Sequence, residues 1–124
     1  MVPVCLYFQV HQPWRLKSYN YFQVGRDHRY FDETRNGALV RRIAEKCYLP
    51  ATAMLQDLLD AQPGFSAAFS VSGTLLQQLR AFAPAALQSF RRLVATGRVE
   101  VLGETSHHSL SFLASRGEFL EQVA

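Results

Sequence analysis

Three short apolar runs, each closed by polar residues and separated by longer amphipathic stretches, constrain this chain more than any other feature. Residues 2–10, 65–71 and 99–103 are nearly continuous in Val, Leu, Phe, Tyr and Ala. Such runs suit strands buried on both faces, as strands of parallel sheets are. The stretches between them carry the spacing of amphipathic helices, and strands alternating with helices imply a parallel sheet with helical crossovers. The expected order is strand, loop, two helices, strand, two helices, strand, loop, helix. Three parallel strands make a small sheet with unpaired edges, so the pattern reads as the first third of something larger.

The first helix is expected from Asn36, with Leu39, Val40, Ile43, Ala44 and Cys47 on one stripe. Pro50 is expected to interrupt it and to open a second helix, striped by Ala51, Met54, Leu55, Leu58 and Leu59 and ended by Gln62-Pro63-Gly64. Thr74–Phe82 presents Leu75, Leu76 and Leu79, and a helix opened by Pro84 runs to Ala95 with Leu87, Phe90 and Val94 inward. Gly97 follows as a terminating glycine, and a last helix starts near Gly117 and is still running at Ala124. Residues 14–35 are polar, aromatic and arginine-rich without a period. They read as a long loop after the first strand, and such loops are commonly functional.

Composition narrows the function classes. A chain of 124 residues that is 48% hydrophobic and 19% charged can bury one core and does not read as disordered. The net charge of +3 comes from scattered basic residues, including the pairs Arg41-Arg42 and Arg91-Arg92 on helical stretches, so nucleic acid is not an expected partner. No apolar run is long enough to span a bilayer, and no signal peptide is read at Met1. Cys5 and Cys47 show no CxxC spacing; Cys5 reads as a small buried hydrophobe, and two reduced thiols suggest a cytoplasmic protein.

The chemistry-bearing residues fall where the first and third strands stop: His11-Gln12-Pro13-Trp14 and Glu104 through His108. Ligands of α/β sheets and barrels bind at the carboxyl ends of strands, so the two clusters converge on one rim. A polar turn after a strand is the competing reading of His11. A metal site built from Glu104, His11 and His107 or His108 is conceivable, but adjacent histidines on extended backbone point oppositely. Glycoside chemistry needs two carboxyl groups about 5–5.5 Å apart for retention. Glu100 and Glu104 are the only acids near the rim, and Glu100, inside the strand, reads as a structural carboxylate. No GxSxG elbow or phosphate-cradling glycine loop is present.

The segments Cys5–Pro13 and Gly97–Leu110 resemble glycoside hydrolase family 57, most closely its α-amylase-like members. Asp27-His28, Tyr30-Phe31-Asp32, Ala44–Pro50, Phe69–Thr74 and Ser89–Leu93 extend the likeness over nearly the whole chain. The resemblance implies an α/β fold, the first three β/α units of a (β/α)7 barrel. Residues 1–124 would be the amino-terminal part of one catalytic barrel, with the nucleophilic glutamate and the acid/base aspartate expected beyond Ala124. His11 matches a histidine lining the sugar site, His108 matches a second substrate-facing position, and Gln12, Trp14 and Glu104 join them as substrate-binding residues. The implied partner is an α-glucan or maltooligosaccharide, cleaved or transferred with retention, with no cofactor and no metal. A metal-dependent barrel deacetylase or mannosidase, and a non-catalytic glucan-binding fragment, are the alternatives.

Overall fold

The computed structural model describes residues 4–123. Residues 2 and 3 of the expected first strand lie outside them, and so does Ala124, where the expected last helix was still running. Three strands form one sheet in the order β1-β2-β3: β1 Tyr7–Val10, β2 Ala67–Val71 and β3 Val99–Leu102. Both pairs are parallel, with Tyr7 opposite Ala68, and Ala68 opposite Glu100. The spatial order never reverses, as it would at the switch point of a doubly wound sheet. Consecutive parallel strands lying side by side and joined by helices are the layout of the opening units of a β/α barrel.

The sheet is two-faced. Val10, Phe69 and Val99 are buried in one core with Val40, Leu55, Leu59, Leu75, Leu79 and Leu93 from the helices. Phe8 stacks on Phe69, with ring centroids 5.1 Å apart, and Phe69 meets Phe90 edge-on at 5.7 Å. Alternation turns Tyr7, Gln9, Ser70, Glu100 and Leu102 to the opposite face. There the Tyr7 hydroxyl lies 2.7 Å from Ser70 Oγ. Glu100 is exposed on that face rather than buried in structure. Cys5, expected to be a buried hydrophobe, is likewise exposed.

The helical segments are α1 Glu33–Ile43, α2 Leu49–Ala61, α3 Gly73–Phe82, α4 Pro84–Ala95 and α5 Arg116–Val123. α1 starts three residues before the expected Asn36, because the Asp32 carboxylate accepts from Arg35 N–H and caps it. Pro50 does not break the chain's helical path. A single wide turn, Ala44–Tyr48, precedes it, and Leu49 N–H bonds Ala44 C=O five residues back. One extra residue in a turn rotates everything after it around the axis. Cys47 is therefore exposed and Tyr48 buried, where the stripe predicted Cys47 inside. In α2 the buried face is Thr52, Leu55 and Leu59, with Met54 and Leu58 at the surface, and the Thr52 hydroxyl bonds Tyr48 C=O at 2.8 Å. In α4, Leu93 and Ala86 are buried and Val94 is exposed.

The long loop is ordered by pairing with itself. Leu16 bridges Phe31 antiparallel, and Lys17 N–H donates to Tyr30 C=O. Asn36, fully buried at the start of α1, accepts from Arg15 N–H and donates to Arg15 C=O, both at 3.0 Å. At the tip, Lys17 Nζ sits 2.7 Å from Asp27, and Lys17 and Arg29 together hold that carboxyl far below the usual range.

Leu59 is a sensitive test of the core, because it is 1% exposed and belongs to the buried apolar cluster. Leu59→Ala is expected to lower unfolding free energy by about 2–5 kcal/mol, measured by denaturant unfolding. A loss under about 1 kcal/mol would place Leu59 outside the core.

Candidate functional site

The site forms where β1, β2 and β3 end, from three short segments. β1 runs into His11, β2 into Ser72, and β3 into the turn Glu104–Ser109. Ser72 caps α3, its hydroxyl accepting from Leu75 N–H, so a strand end and a helix start share one residue. Gly73 follows it because nothing larger fits. A Cβ there would stand 2.9 Å from Ser106 Cβ and 3.1 Å from its Cα and carbonyl oxygen. In that space Thr74 N–H donates to Ser106 C=O at 2.9 Å, docking the β3 turn on the start of α3.

This docking carries His108 towards His11. Their ring centroids are 4.9 Å apart and tilted by 37°. His108 has φ +53°, a left-handed conformation that costs a residue other than glycine about 1–2 kcal/mol. Strain of this kind accumulates where a side chain must be aimed. His108 Nδ1 lies 3.2 Å from Glu104 Oε2, and its Nε2 lies 2.9 Å from Gln9 Nε2. A carboxylate only accepts, so the Nδ1 that faces Glu104 carries a proton, while the Gln9 amide nitrogen lies 2.9 Å from Nε2 and 3.2 Å from Nδ1. The second oxygen of Glu104, Oε1, is buried and has no hydrogen-bond partner among the described residues. His107, next in the chain, turns away to Ser106 Oγ at 3.0 Å.

His11 is the more enclosed ring. Its Nδ1 lies 2.7 Å from Ser72 Oγ, and among the described residues its Nε2 makes no hydrogen bond. Burial and, secondarily, the neighbouring His108 hold its pKa below 6.5, partly opposed by the Glu104 charge. The neutral ring therefore predominates at pH 7.

Of the five expected site residues, His11, Glu104 and His108 come together. Gln12 and Trp14 do not join that cluster. Gln12 Oε1 accepts from Arg15 Nη2 and its carbonyl accepts from the buried Gln78 amide at 2.7 Å. The Trp14 indole lies against Phe31 and Phe82, at 5.2 and 6.1 Å, where it seats the long loop on α3. Gln12 is held by its bonds to Arg15 and Gln78, and Pro13, whose fixed φ resists continuing the extended path, turns Trp14 off the strand axis. Gln9 and Ser72 are the members that the sequence reading passed over. A polar residue two positions before His11 shares its face of the strand, and a serine between a strand and a helical stripe is a cap. Among the described residues, no group of three or more His, Cys, Asp or Glu side chains is arranged to hold a metal ion. No helix among them is long and apolar enough to cross a membrane.

Comparison with known proteins points one way. The model of glycosyl hydrolase family 57 matches residues 5–124. A protein of Methanocaldococcus jannaschii named "Putative alpha-amylase" is 36% identical over 118 residues, which are 94% of this chain and 25% of the relative. The chain thus spans about a quarter of the length of that curated relative. No solved structure gives a significant match.

Two outcomes test the geometry. In an NMR titration, His11 is expected to protonate below pH 6.5, lower still in Glu104→Gln and higher in His108→Ala. Because the folded state then binds this proton less readily than the unfolded chain, the contribution of His11 to stability is present above pH 6.5 and is lost as pH falls below it. A His11 that titrates above 6.5 contradicts the enclosure described. Gly73→Ala is expected to cost about 1–3 kcal/mol through overpacking against Ser106 and to raise amide exchange in residues 104–109. Unchanged exchange there would show that the turn does not depend on this contact.

Proposed function

The chain belongs to glycosyl hydrolase family 57, and on that premise we propose that it forms the sugar-gripping part of an α-glucan-active enzyme. The reaction is a retaining cleavage or transfer of the α-amylase or 4-α-glucanotransferase type. The observation that carries the reading is the pairing of His11 with His108 at the strand ends, beside a polar sheet face. The α-amylase name of the Methanocaldococcus relative supports the substrate class.

In this reading the neutral His11 ring offers its unpartnered Nε2 to a sugar oxygen. His108 exchanges its bond with Gln9 for one with a second hydroxyl, and Glu104 holds that ring from behind. Gln12 and Trp14 act from a distance, holding the loop that follows β1. The retaining mechanism needs one carboxylate to attack the anomeric carbon and one acid to protonate the departing oxygen, about 5–5.5 Å apart. Glu104 is paired with His108, and the likeness to the family gives Glu100 a structural place, so neither is assigned those roles. Both roles are assigned to residues beyond Ala124, and the isolated 124-residue chain is expected to be inactive. Hydrolysis and transfer share the glycosyl-enzyme intermediate and differ only in the acceptor, water or sugar. Free thiols at Cys5 and Cys47 fit a cytoplasmic location.

In the full-length protein, His11→Ala should lower kcat/KM on maltooligosaccharides roughly 100-fold, the scale for losing one donor that acts in the transition state. The product anomer, followed by proton NMR, should keep the α configuration. Near-native turnover in the variant would remove His11 from the site, and an inverted product would remove the mechanism.

A further inference from the structure

Ser72 is fully buried, and its hydroxyl stands among three polar groups. Leu75 N–H approaches its oxygen at 3.4 Å, Thr74 Oγ1 at 3.2 Å and His11 Nδ1 at 2.7 Å. A hydroxyl has two lone pairs and one proton. Leu75 N–H can only donate, and it takes one lone pair. Among the described residues Thr74 Oγ1 bonds only to Ser72, so its proton is free to take the second. The proton of Ser72 is then left for His11 Nδ1. The 2.7 Å separation agrees, because O–H donors sit closer to their acceptors than N–H donors, whose usual distance is about 2.9–3.0 Å.

We propose that Ser72 is a positioning residue that fixes His11 as the Nε2–H tautomer, so that His11 meets substrate as a hydrogen-bond donor. The start of α3 supplies the direction. Its amide at Leu75 points at the Ser72 oxygen and favours electron density there, which leaves the Ser72 proton facing the imidazole. The two histidines then differ in kind: His108 holds its proton on Nδ1 towards Glu104, whereas His11 holds its own on Nε2, away from Ser72. A neutral imidazole with Nδ1 occupied cannot accept through Nε2, so His11 selects a sugar oxygen rather than a hydroxyl proton. This assignment rests on the proposed function for its substrate but not for its tautomer.

The test is a long-range proton–nitrogen NMR spectrum of the full-length protein labelled with 15N at histidine, at pH 7.5. His11 is expected to show a protonated Nε2 and an unprotonated, hydrogen-bonded Nδ1. In Ser72→Ala the His11 signals should move towards a mixture of tautomers, and kcat on maltooligosaccharides should fall about ten-fold, the scale seen when a partner that orients a functional histidine is lost. Ser72→Thr keeps the hydroxyl and should restore both. A protonated Nδ1 in the unmodified protein overturns the proposal, as does an unchanged His11 spectrum in folded Ser72→Ala. The unmodified protein's spectrum decides even where the alanine variant does not fold. If the tautomer is as expected but His11→Ala retains full activity, Ser72 keeps its assignment and the sugar-binding reading falls.

Discussion

The close approach of Gly73 to Ser106 is the constraint on which the rest of the site depends. One strand end, one helix start and one turn must share a space that admits no side chain. Because Gly73 provides it, Thr74 N–H reaches the Ser106 carbonyl and the turn after β3 leans over the end of β2. His108 then arrives beside His11 although nearly the whole chain runs between them.

Beneath that contact the sheet separates two kinds of chemistry. The face towards the helices is apolar and closed by Val10, Phe69, Leu75 and Leu79, which fixes the strand register. The other face carries Tyr7, Gln9 and Glu100 open to solvent and Ser70, which is buried and satisfied by the Tyr7 hydroxyl. A one-residue slip of β1 would exchange the two sets, placing Gln9 in the core and Val10 among the polar groups. Hydrophobic patterning on one face therefore aims the functional residues on the other.

Much of this could be read from the residues in order. The three strands, the parallel crossovers and the rim position of His11 and His108 followed from apolar runs, helical stripes and strand ends. The wide turn before Pro50 was not legible, since nothing in Ala44–Tyr48 announces an extra residue per turn, and it displaced Cys47 from its expected face. The direction of Trp14 was hidden for a different reason. An indole after a strand can meet sugar or protein equally well, and only the tertiary placement of Phe31 and Phe82 shows which neighbours it has. Ser72 was passed over because its bond to His11 spans 61 positions and has no local signature.

The left-handed backbone of His108 sets two selective pressures against each other. Glycine or asparagine at that position would relax the turn and make the folded protein more stable. Either would also delete the imidazole that faces His11. Directed evolution for heat tolerance alone should therefore drift towards a sturdier chain with a poorer site at this position, whereas selection that also demands activity should keep the strained histidine and find its stability elsewhere.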